Sequence, residues 1–242
     1  FAFPPKFITT NPTLDNFRKL VKASRSAGIP ISKYVFNSIF ITATVVFGSL
    51  LFSTMAAYAL SKLKFKGRNV MMQINQIALM FVSVAVMIPR YLVVNKLGMI
   101  DTYWAEILPL IALPVGLFLI KQFVDQVPDS LIEAAYMDGA KEWQIYLKVI
   151  IPLIKPAIAT AAILVFQQVW TNLETSNYYI NDDSLKSLAF YMNTLTSTTT
   201  TNTVAGQGVA AAASLIMFLP NLILFCILQK NVINTMAHSG IK

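Results

Sequence analysis

Few side chains in this sequence could take part in chemistry. Glu174, Asp182 and Asp183 lie in one polar stretch, and glycoside hydrolysis uses a pair of carboxylates. On such a stretch, solvated surface charge is the favoured interpretation. The only histidine, His238, lies near the C-terminus, so neither a Ser/His/Asp set nor a histidine metal site is indicated. We therefore predict no catalytic residue, no metal site and no enzyme activity in this chain.

A second group combines side-chain amides with an aromatic ring: Gln167, Gln168, Trp170 and Asn172. Neutral polar ligands such as sugars are held by amide hydrogen bonds and by stacking of their C–H faces on rings. These four residues are therefore candidates for a solute pathway. The alternative, which we favour at these positions, is hydrogen bonding between helices and a tryptophan at a membrane interface.

Residues 127–156 form the most polar block between two long apolar runs, and their pattern predicts two short helices joined by a turn. Ser130 and Glu133 have the spacing of a capping box, and Pro128 suits a first helical turn. Gly139 can adopt the left-handed conformation that ends a helix.

The second predicted helix of this block is amphipathic, and Pro152 and Pro156 end its pattern. Four apolar residues fall on one face at helical spacing: Trp143, Tyr146, Leu147 and Ile150. Such a hairpin between membrane spans can lie on the bilayer or dock into a partner protein.

The same block carries a motif that resembles the EAA loop of ABC-importer permeases. Its parts are Glu133-Ala134-Ala135, then Gly139, then Val149-Ile150-Ile151-Pro152. The fuller form EAAYMDGA is similar to the carbohydrate-uptake branch of that family, and to the smaller permease subunit of the maltose importer. Val149 and Ile151 replace the usual Ile and Leu but remain apolar. The alternative is an interfacial hairpin that carries the motif by chance.

The resemblance implies which residues couple the chain to an ATPase: Glu133, Ala134, Ala135, Asp138, Gly139 and Pro152. The chain itself has no GxxxxGK loop, so we expect it to bind no cofactor and expect ATP and Mg on a partner ATPase.

Composition independently indicates a membrane protein. The sequence is 56% hydrophobic and 12% charged, against about 25% charged in soluble domains. A net charge of +8 could indicate nucleic-acid binding. The lysines and arginines flank apolar runs, however, so we expect them to contact membrane lipid and expect no binding of nucleic acid. A single cysteine, Cys226, excludes an intrachain disulfide.

Uncharged runs predict an all-α transmembrane bundle with five spans, at 36–60, 69–89, 103–121, 156–173 and 204–228. The third run is short, and Pro109 and Pro114 are expected to kink it. Small residues along the first span predict close helix contacts.

Loop charges predict the orientation of the chain. The side that holds 61–69, 121–155 and the tail carries ten basic residues, and the side that holds 90–106 and 174–203 carries three. The positive-inside rule then places the 127–156 loop and the tail, 229–242, in the cytoplasm.

Residues 1–35, ahead of the transmembrane domain of 36–242, are expected outside the cytoplasm, although six basic residues lie there. They are expected to hold an amphipathic helix that begins at Asn11-Pro12 and lies on the membrane. Its apolar face contains Leu14, Phe17, Leu20 and Val21. The family has six spans, so the resemblance implies a first helix upstream of Phe1.

The sequence thus predicts a multi-pass permease subunit of an ABC importer in a bacterial inner or plasma membrane, forming half of the translocation pathway for a carbohydrate, with an oligosaccharide favoured. The implied partners are a second permease, two copies of an ABC ATPase and an extracytoplasmic solute-binding protein. Two alternatives remain open. One is an importer permease for an amino acid, a peptide or an organic anion, and the other is a pore or scaffold without ATP coupling.

Overall fold

The computed structural model describes residues 13–26, 28–200 and 204–239, and in these residues the chain forms helices and no strand. The α-helices are α1 (Asp15–Ser26), α2 (Ile31–Lys62), α3 (Arg68–Met80), α4 (Ser83–Lys96), α5 (Tyr103–Ile111), α6 (Pro114–Asp125), α7 (Asp129–Met137), α8 (Glu142–Ile145), α9 (Ile151–Leu153), α10 (Lys155–Trp170), α11 (Glu174–Tyr179), α12 (Leu188–Thr200) and α13 (Val204–Ser239). A π-helical turn, Tyr146–Ile150, joins α8 to α9, and a 3-10 turn, Asp183–Leu185, precedes α12. The predicted all-α class is confirmed.

Helix α2 lies at the centre of the bundle and packs against α5, α6, α10 and α12. The predicted close contacts along it are present, because Ser49, Ser53 and Ala57 are buried. A Cβ on Gly116 of α6 would lie 3.5 Å from the Ser53 hydroxyl oxygen, so the two helices approach each other closely there.

By length and composition, three helical stretches of the described residues could cross a membrane: Ile31–Lys62, Tyr103–Asp125 and Gln207–Gln229. The count rises to five if two bent helix pairs, Arg68–Met80 with Ser83–Lys96 and Glu142–Leu153 with Lys155–Trp170, are each taken as one span.

The prediction of one continuous helix over 69–89 is wrong. Phe81 and Val82 have extended backbone angles, which interrupt the hydrogen-bond ladder, and α3 and α4 meet at 113°. Pro89, the predicted end of the span, lies inside α4. The break carries neither glycine nor proline, so its local sequence gave no sign of it.

The third predicted span exists and extends to Asp125. It is interrupted at Ala112–Leu113, where α6 starts with Pro114 in its first turn, as expected for that proline. Pro109 instead lies within α5. The fourth span corresponds to α10, which follows the 127–156 segment after a 77° bend.

The last helix, α13, is longer than the predicted span. It continues past residue 228 to Ser239 and contains Pro220, so most of the predicted polar tail is helical. Gly240 to Lys242 lie outside the described residues.

Helix α1 uses only part of its predicted apolar face for packing. Leu20 is buried and Phe17 is packed in a cluster with residues of α2, α10, α12 and α13, whereas Leu14 is exposed. Asn11 and Pro12, the predicted helix start, lie outside the described residues.

Candidate functional site

The first candidate site is the helical hairpin of residues 127–156, which contains α7, α8 and α9. Gly139 has φ +79° and lies in open space, where a Cβ would meet no atom within 4 Å. Its N–H donates to the Tyr136 carbonyl at 2.9 Å, and the Ala140 N–H donates to the Ala135 carbonyl at 3.0 Å. This pair of bonds is the Schellman motif that ends a helix. The predicted turn at Gly139 is therefore confirmed in its conformation and its bonds.

The predicted capping box at Ser130 and Glu133 is wrong. Pro128 occupies the N-cap position and α7 begins at Asp129, so Ser130 is already within the helix. A side-chain cap forms instead at the second helix, where the Lys141 N–H donates to the Gln144 side-chain oxygen at 2.8 Å.

The apolar face predicted for the second helix is only half buried. Tyr146 and Ile150 are buried, whereas Trp143 and Leu147 are exposed. A π-helical turn begins at Tyr146, and in it the Ile151 N–H donates to the Tyr146 carbonyl, which changes the angular spacing of the residues after the turn. Ile145 and Ile154 complete the buried face.

Glu142 connects the hairpin to α2. The Tyr58 hydroxyl of α2, whose residue is 6% exposed, donates to one Glu142 carboxylate oxygen at 2.5 Å. The Tyr136 hydroxyl of α7 donates to the other oxygen, and this hydrogen bond raises the pKa of Tyr136. One carboxylate thus ties together a membrane helix and both arms of the hairpin. The sequence analysis did not single out Glu142, because its partner on α2 is remote in the chain.

Further polar contacts link the hairpin to α2. The Lys62 ammonium donates to the Val127 carbonyl and to the Asp129 carboxylate, both at 2.6 Å. The second bond lowers the pKa of Asp129 below its ordinary value. The Thr54 and Tyr146 hydroxyls are 2.8 Å apart in the buried interior. The hairpin is therefore held against the bundle from several directions.

The predicted coupling residues lie at the outer side of this hairpin. Glu133, Ala134, Asp138, Gly139 and Pro152 are exposed, and Ala135 is half-buried against the core. Ile132 on the opposite side of α7 is buried in the same core cluster. Met137, which the sequence analysis did not single out, is 88% exposed at the tip. An 88% exposed methionine next to a fixed turn offers an adaptable apolar contact.

The second candidate site is a cavity of about 650 Å³ between the helices, which we call the interhelical cavity. Both helix breaks open onto it, because its lining includes Phe81 from the α3–α4 bend and Leu113 from the α5–α6 interruption. Irregular backbone at membrane depth is tolerated where it is buried in protein or lines a water-filled space. The cavity is therefore the place where the broken helices can have their backbone groups solvated or bound.

Polar side chains reach the cavity from three helical elements. Arg90 of α4 and Glu174 of α11 form an ion pair with a nitrogen-to-oxygen distance of 3.7 Å. Buried Tyr179 also interacts electrostatically with the Arg90 guanidinium. Gln168 of α10 adds an amide to the lining.

The four predicted pathway residues divide into two pairs. Gln168 and Asn172 line the cavity, and the Asn172 side-chain oxygen also accepts from the Thr175 N–H at 3.1 Å. Gln167 is exposed but is not part of the lining. Trp170 is buried, and its ring N–H donates to the Met217 carbonyl of α13 at 3.1 Å. Trp170 therefore joins two helices, as in the favoured alternative, and does not form an aromatic plate for a ligand.

The aromatic ring that does line the cavity is Phe81, whose residue is 60% exposed. Sequence analysis does not identify it, because Phe81 lies inside an apolar run that predicts a continuous span. In the structure Phe81 lies at the helix break itself, with extended backbone angles.

The three carboxylates that could suggest hydrolysis do not act together. Glu174 pairs with Arg90, whereas the Asp182 side chain accepts from the Ser184 N–H at 2.9 Å. Asp183 pairs with Lys186 at 2.6 Å. Within the described part of the chain, no group of three or more His, Cys, Asp or Glu side chains is arranged to hold a metal ion.

Comparison with known proteins is consistent across the length of the chain. A family model described as the inner membrane component of binding-protein-dependent transport systems matches residues 49–233. Protein LplC of Bacillus subtilis is 34% identical, over 100% of this chain and 81% of that protein. The arabinooligosaccharides transport system permease protein AraQ of Halalkalibacterium halodurans is 32% identical, over 95% of this chain and 80% of that protein.

Among solved structures, a bacterial ABC transporter involved in the import of the acidic polysaccharide alginate is similar, with a TM-score of 0.73 and 28% identity. The match covers 83% of this chain and 74% of that chain. A second alginate transporter structure, at 15% identity and a TM-score of 0.60, shares the fold.

Proposed function

Because this chain belongs to the family of inner membrane components of binding-protein-dependent transport systems, we propose that it is a permease subunit of an ABC importer for a carbohydrate. It forms half of the translocation pathway, and a second permease forms the other half. Support for the solute class comes from the similarity to the arabinooligosaccharides transport system permease protein AraQ and to the alginate importer.

The observation that carries this proposal is the rigid attachment of the hairpin to the bundle. Its buried side is held by Glu142, Lys62 and a shared apolar cluster, while its tip is left exposed. A small rigid projection transmits a rigid-body movement to the helices that carry it. The arrangement suits a contact that converts movement of a partner protein into movement of the spans.

The partner at the tip is an ABC ATPase, two copies of which bind ATP and Mg and carry out hydrolysis. The exposed coupling residues fit a groove on that partner, because Ala134 and Ala135 keep α7 slim while Glu133 and Asp138 can meet basic groups. Ala135 is half-buried, so the accessible apolar surface of α7 comes from Ala134, Met137 and the partly exposed Leu131. An extracytoplasmic solute-binding protein delivers the solute, as the family description implies.

The chain is placed in a bacterial inner or plasma membrane with the hairpin and the C-terminus in the cytoplasm. The excess of basic residues in the loops on the hairpin side supports this orientation. The mechanism is alternating access: ATP binding closes the ATPase pair, the hairpin carries that movement into α2, α6 and α10, and the interhelical cavity changes sides.

Cysteine crosslinking of the hairpin tip tests this proposal. Ala134→Cys and Met137→Cys, each in a Cys226→Ser background, should crosslink to a co-purifying ATPase subunit, and the yield should change when ATP is added. Leu108→Cys on α5 is a control at an exposed position away from the hairpin. If the tip cysteines react only with lipid-phase probes and no ATPase co-purifies, the importer assignment fails.

A further inference from the structure

The interhelical cavity contains one positive and one negative side chain among its lining residues, Arg90 and Glu174. The rest of the lining is neutral, with Ser83, Gln168, Thr171 and Asn172 as further polar members. The cavity lining therefore carries one positive and one negative charge, joined in an ion pair, and its net charge is zero.

The ion pair leaves most of the hydrogen-bonding capacity of both groups unused. A guanidinium carries five N–H donors and a carboxylate has about four lone-pair positions, whereas the two groups here meet at a single approach of 3.7 Å. The side chains are partly accessible, at 26% for Arg90 and 37% for Glu174. Both groups can therefore bind a ligand without first separating.

The ligand chemistry that fits this pair is a set of neighbouring hydroxyl groups. A hydroxyl both donates and accepts, so it can donate to Glu174 while a neighbouring hydroxyl accepts from Arg90. A carboxylate ligand can only accept, and it would bring a second negative charge close to Glu174. The pair thus favours a polyol over an acid.

Two further features prepare the pair for such a ligand. Buried Tyr179 interacts electrostatically with the Arg90 guanidinium, so a neutral hydroxyl group already accompanies the pair. The exposed ring of Phe81, in the same lining, offers a flat apolar surface against which the C–H face of a sugar ring can pack.

We infer that this half of the pathway has a subsite for a neutral sugar unit, in which Arg90 and Glu174 bind ring hydroxyls and Phe81 contacts the C–H face. The inference rests on the proposed carbohydrate import and adds that the solute is a neutral oligosaccharide and not a polyuronate. A purely structural tie between α4 and α11 is the competing explanation of the ion pair.

Protection of a cysteine inside the cavity measures binding directly. Ser83→Cys, in a Cys226→Ser background, places one thiol in the cavity lining, and the intact transporter complex in detergent is alkylated with N-ethylmaleimide. The ligands are matched pairs of trisaccharides that differ only in oxidation at C6, such as galactotriose with trigalacturonate and cellotriose with its triuronate.

In the otherwise unchanged complex, at least one neutral trisaccharide should protect the thiol at a concentration tenfold or more below that of its uronate. Glu174→Gln leaves Arg90 without a counter-charge, so the affinity for the uronate should rise at least tenfold. The preference for the neutral trisaccharide over its uronate should therefore shrink or reverse. Arg90→Gln should weaken binding of the neutral trisaccharide and should weaken binding of its uronate even more. Lys96→Gln removes an exposed cation from the same helix outside the lining and should leave the ratio unchanged.

The outcomes separate the two levels of the argument. If a uronate protects better than its neutral counterpart, the neutral subsite is refuted while carbohydrate import stands. If both charge variants weaken the neutral and acidic ligands equally, the ion pair is only structural and the inference fails. If no saccharide protects, and the reconstituted complex takes up an amino acid or a peptide instead, the proposed function fails as well.

Discussion

Replacing Gly139 by valine should impair the coupling of the hairpin to transport while the helical bundle remains folded. Gly139 has φ +79°, a conformation that costs an L-residue roughly 1–2 kcal/mol. A Cβ at this position meets no atom within 4 Å, so the cost comes from the backbone and not from a clash. A penalty of about 1.4 kcal/mol shifts an equilibrium tenfold. The population of the closed turn, relative to open conformations, should therefore fall about tenfold.

The assay compares solute uptake and solute-stimulated ATPase activity in proteoliposomes that contain the whole complex. Gly139→Val should lower both rates by about tenfold or more, while Gly139→Asn should be much milder because asparagine tolerates the left-handed region. Gly98→Val is the matched control, since Gly98 has φ +67° in equally open space away from the hairpin. Normal uptake and ATPase stimulation in Gly139→Val would refute the coupling role of the turn, and an equal loss in Gly98→Val would show a general stability effect.

Three further predictions concern the contacts that hold the elements in place. Glu142→Ala leaves the Tyr58 hydroxyl without its carboxylate partner and should lower the free energy of unfolding of the complex by about 1–3 kcal/mol, measured by thermal unfolding. The loss caused by Glu142→Ala should be smaller in a Tyr58→Phe background. Gly116→Ala should be tolerated at its 3.5 Å contact, whereas Gly116→Val overpacks the α2–α6 contact and should destabilise by about 1–3 kcal/mol; equal unfolding temperatures would contradict this. The hydrogen bonds that Asp101 accepts from Asn181 and from neighbouring backbone lower the pKa of Asp101, so this link is complete above the ordinary carboxylate range and is lost as pH falls through the lowered value. The protection factors of the amides of Asn181 and Asp182, corrected for the intrinsic pH dependence of exchange, should therefore fall on acidification, and Asp101→Asn should remove that dependence. An unchanged fall in protection in Asp101→Asn would exclude Asp101 as its source.

Local patterns predicted the elements whose determinants are local. The turn at Gly139 follows from the need for a positive φ after a short helix, and the start of α6 follows from Pro114. The capping prediction failed for an equally local reason, because the N-cap of α7 is Pro128, two residues before Ser130. Helix existence was therefore easier to predict than the exact bonds at a helix end.

The missed features depend on contacts between remote parts of the chain. Glu142 meets Tyr58 across 84 residues, and nothing in the local sequence of either residue indicates the other. The exposure of Phe81 depends on a break with no glycine or proline, and hydropathy treats Phe81 as ordinary span interior. Trp170 had the right chemistry for a ligand plate, but the tertiary structure aims its ring N–H at α13.

The two candidate sites lie at opposite ends of the same helices, and this arrangement explains how one can act on the other. Helix α6 begins at Pro114 in the cavity lining, and its Ile120 and Val124 pack in the hairpin cluster. Helix α10 contributes Ala161 to that cluster and Gln168 to the cavity. A helix of 12 residues, the length of α6, is about 18 Å long, so a tilt imposed at the hairpin displaces the cavity end of the helix as a unit. A flexible hairpin would dissipate that tilt, and we therefore expect the bonds of Glu142 and the turn at Gly139 to affect transport more strongly than they affect binding of the solute.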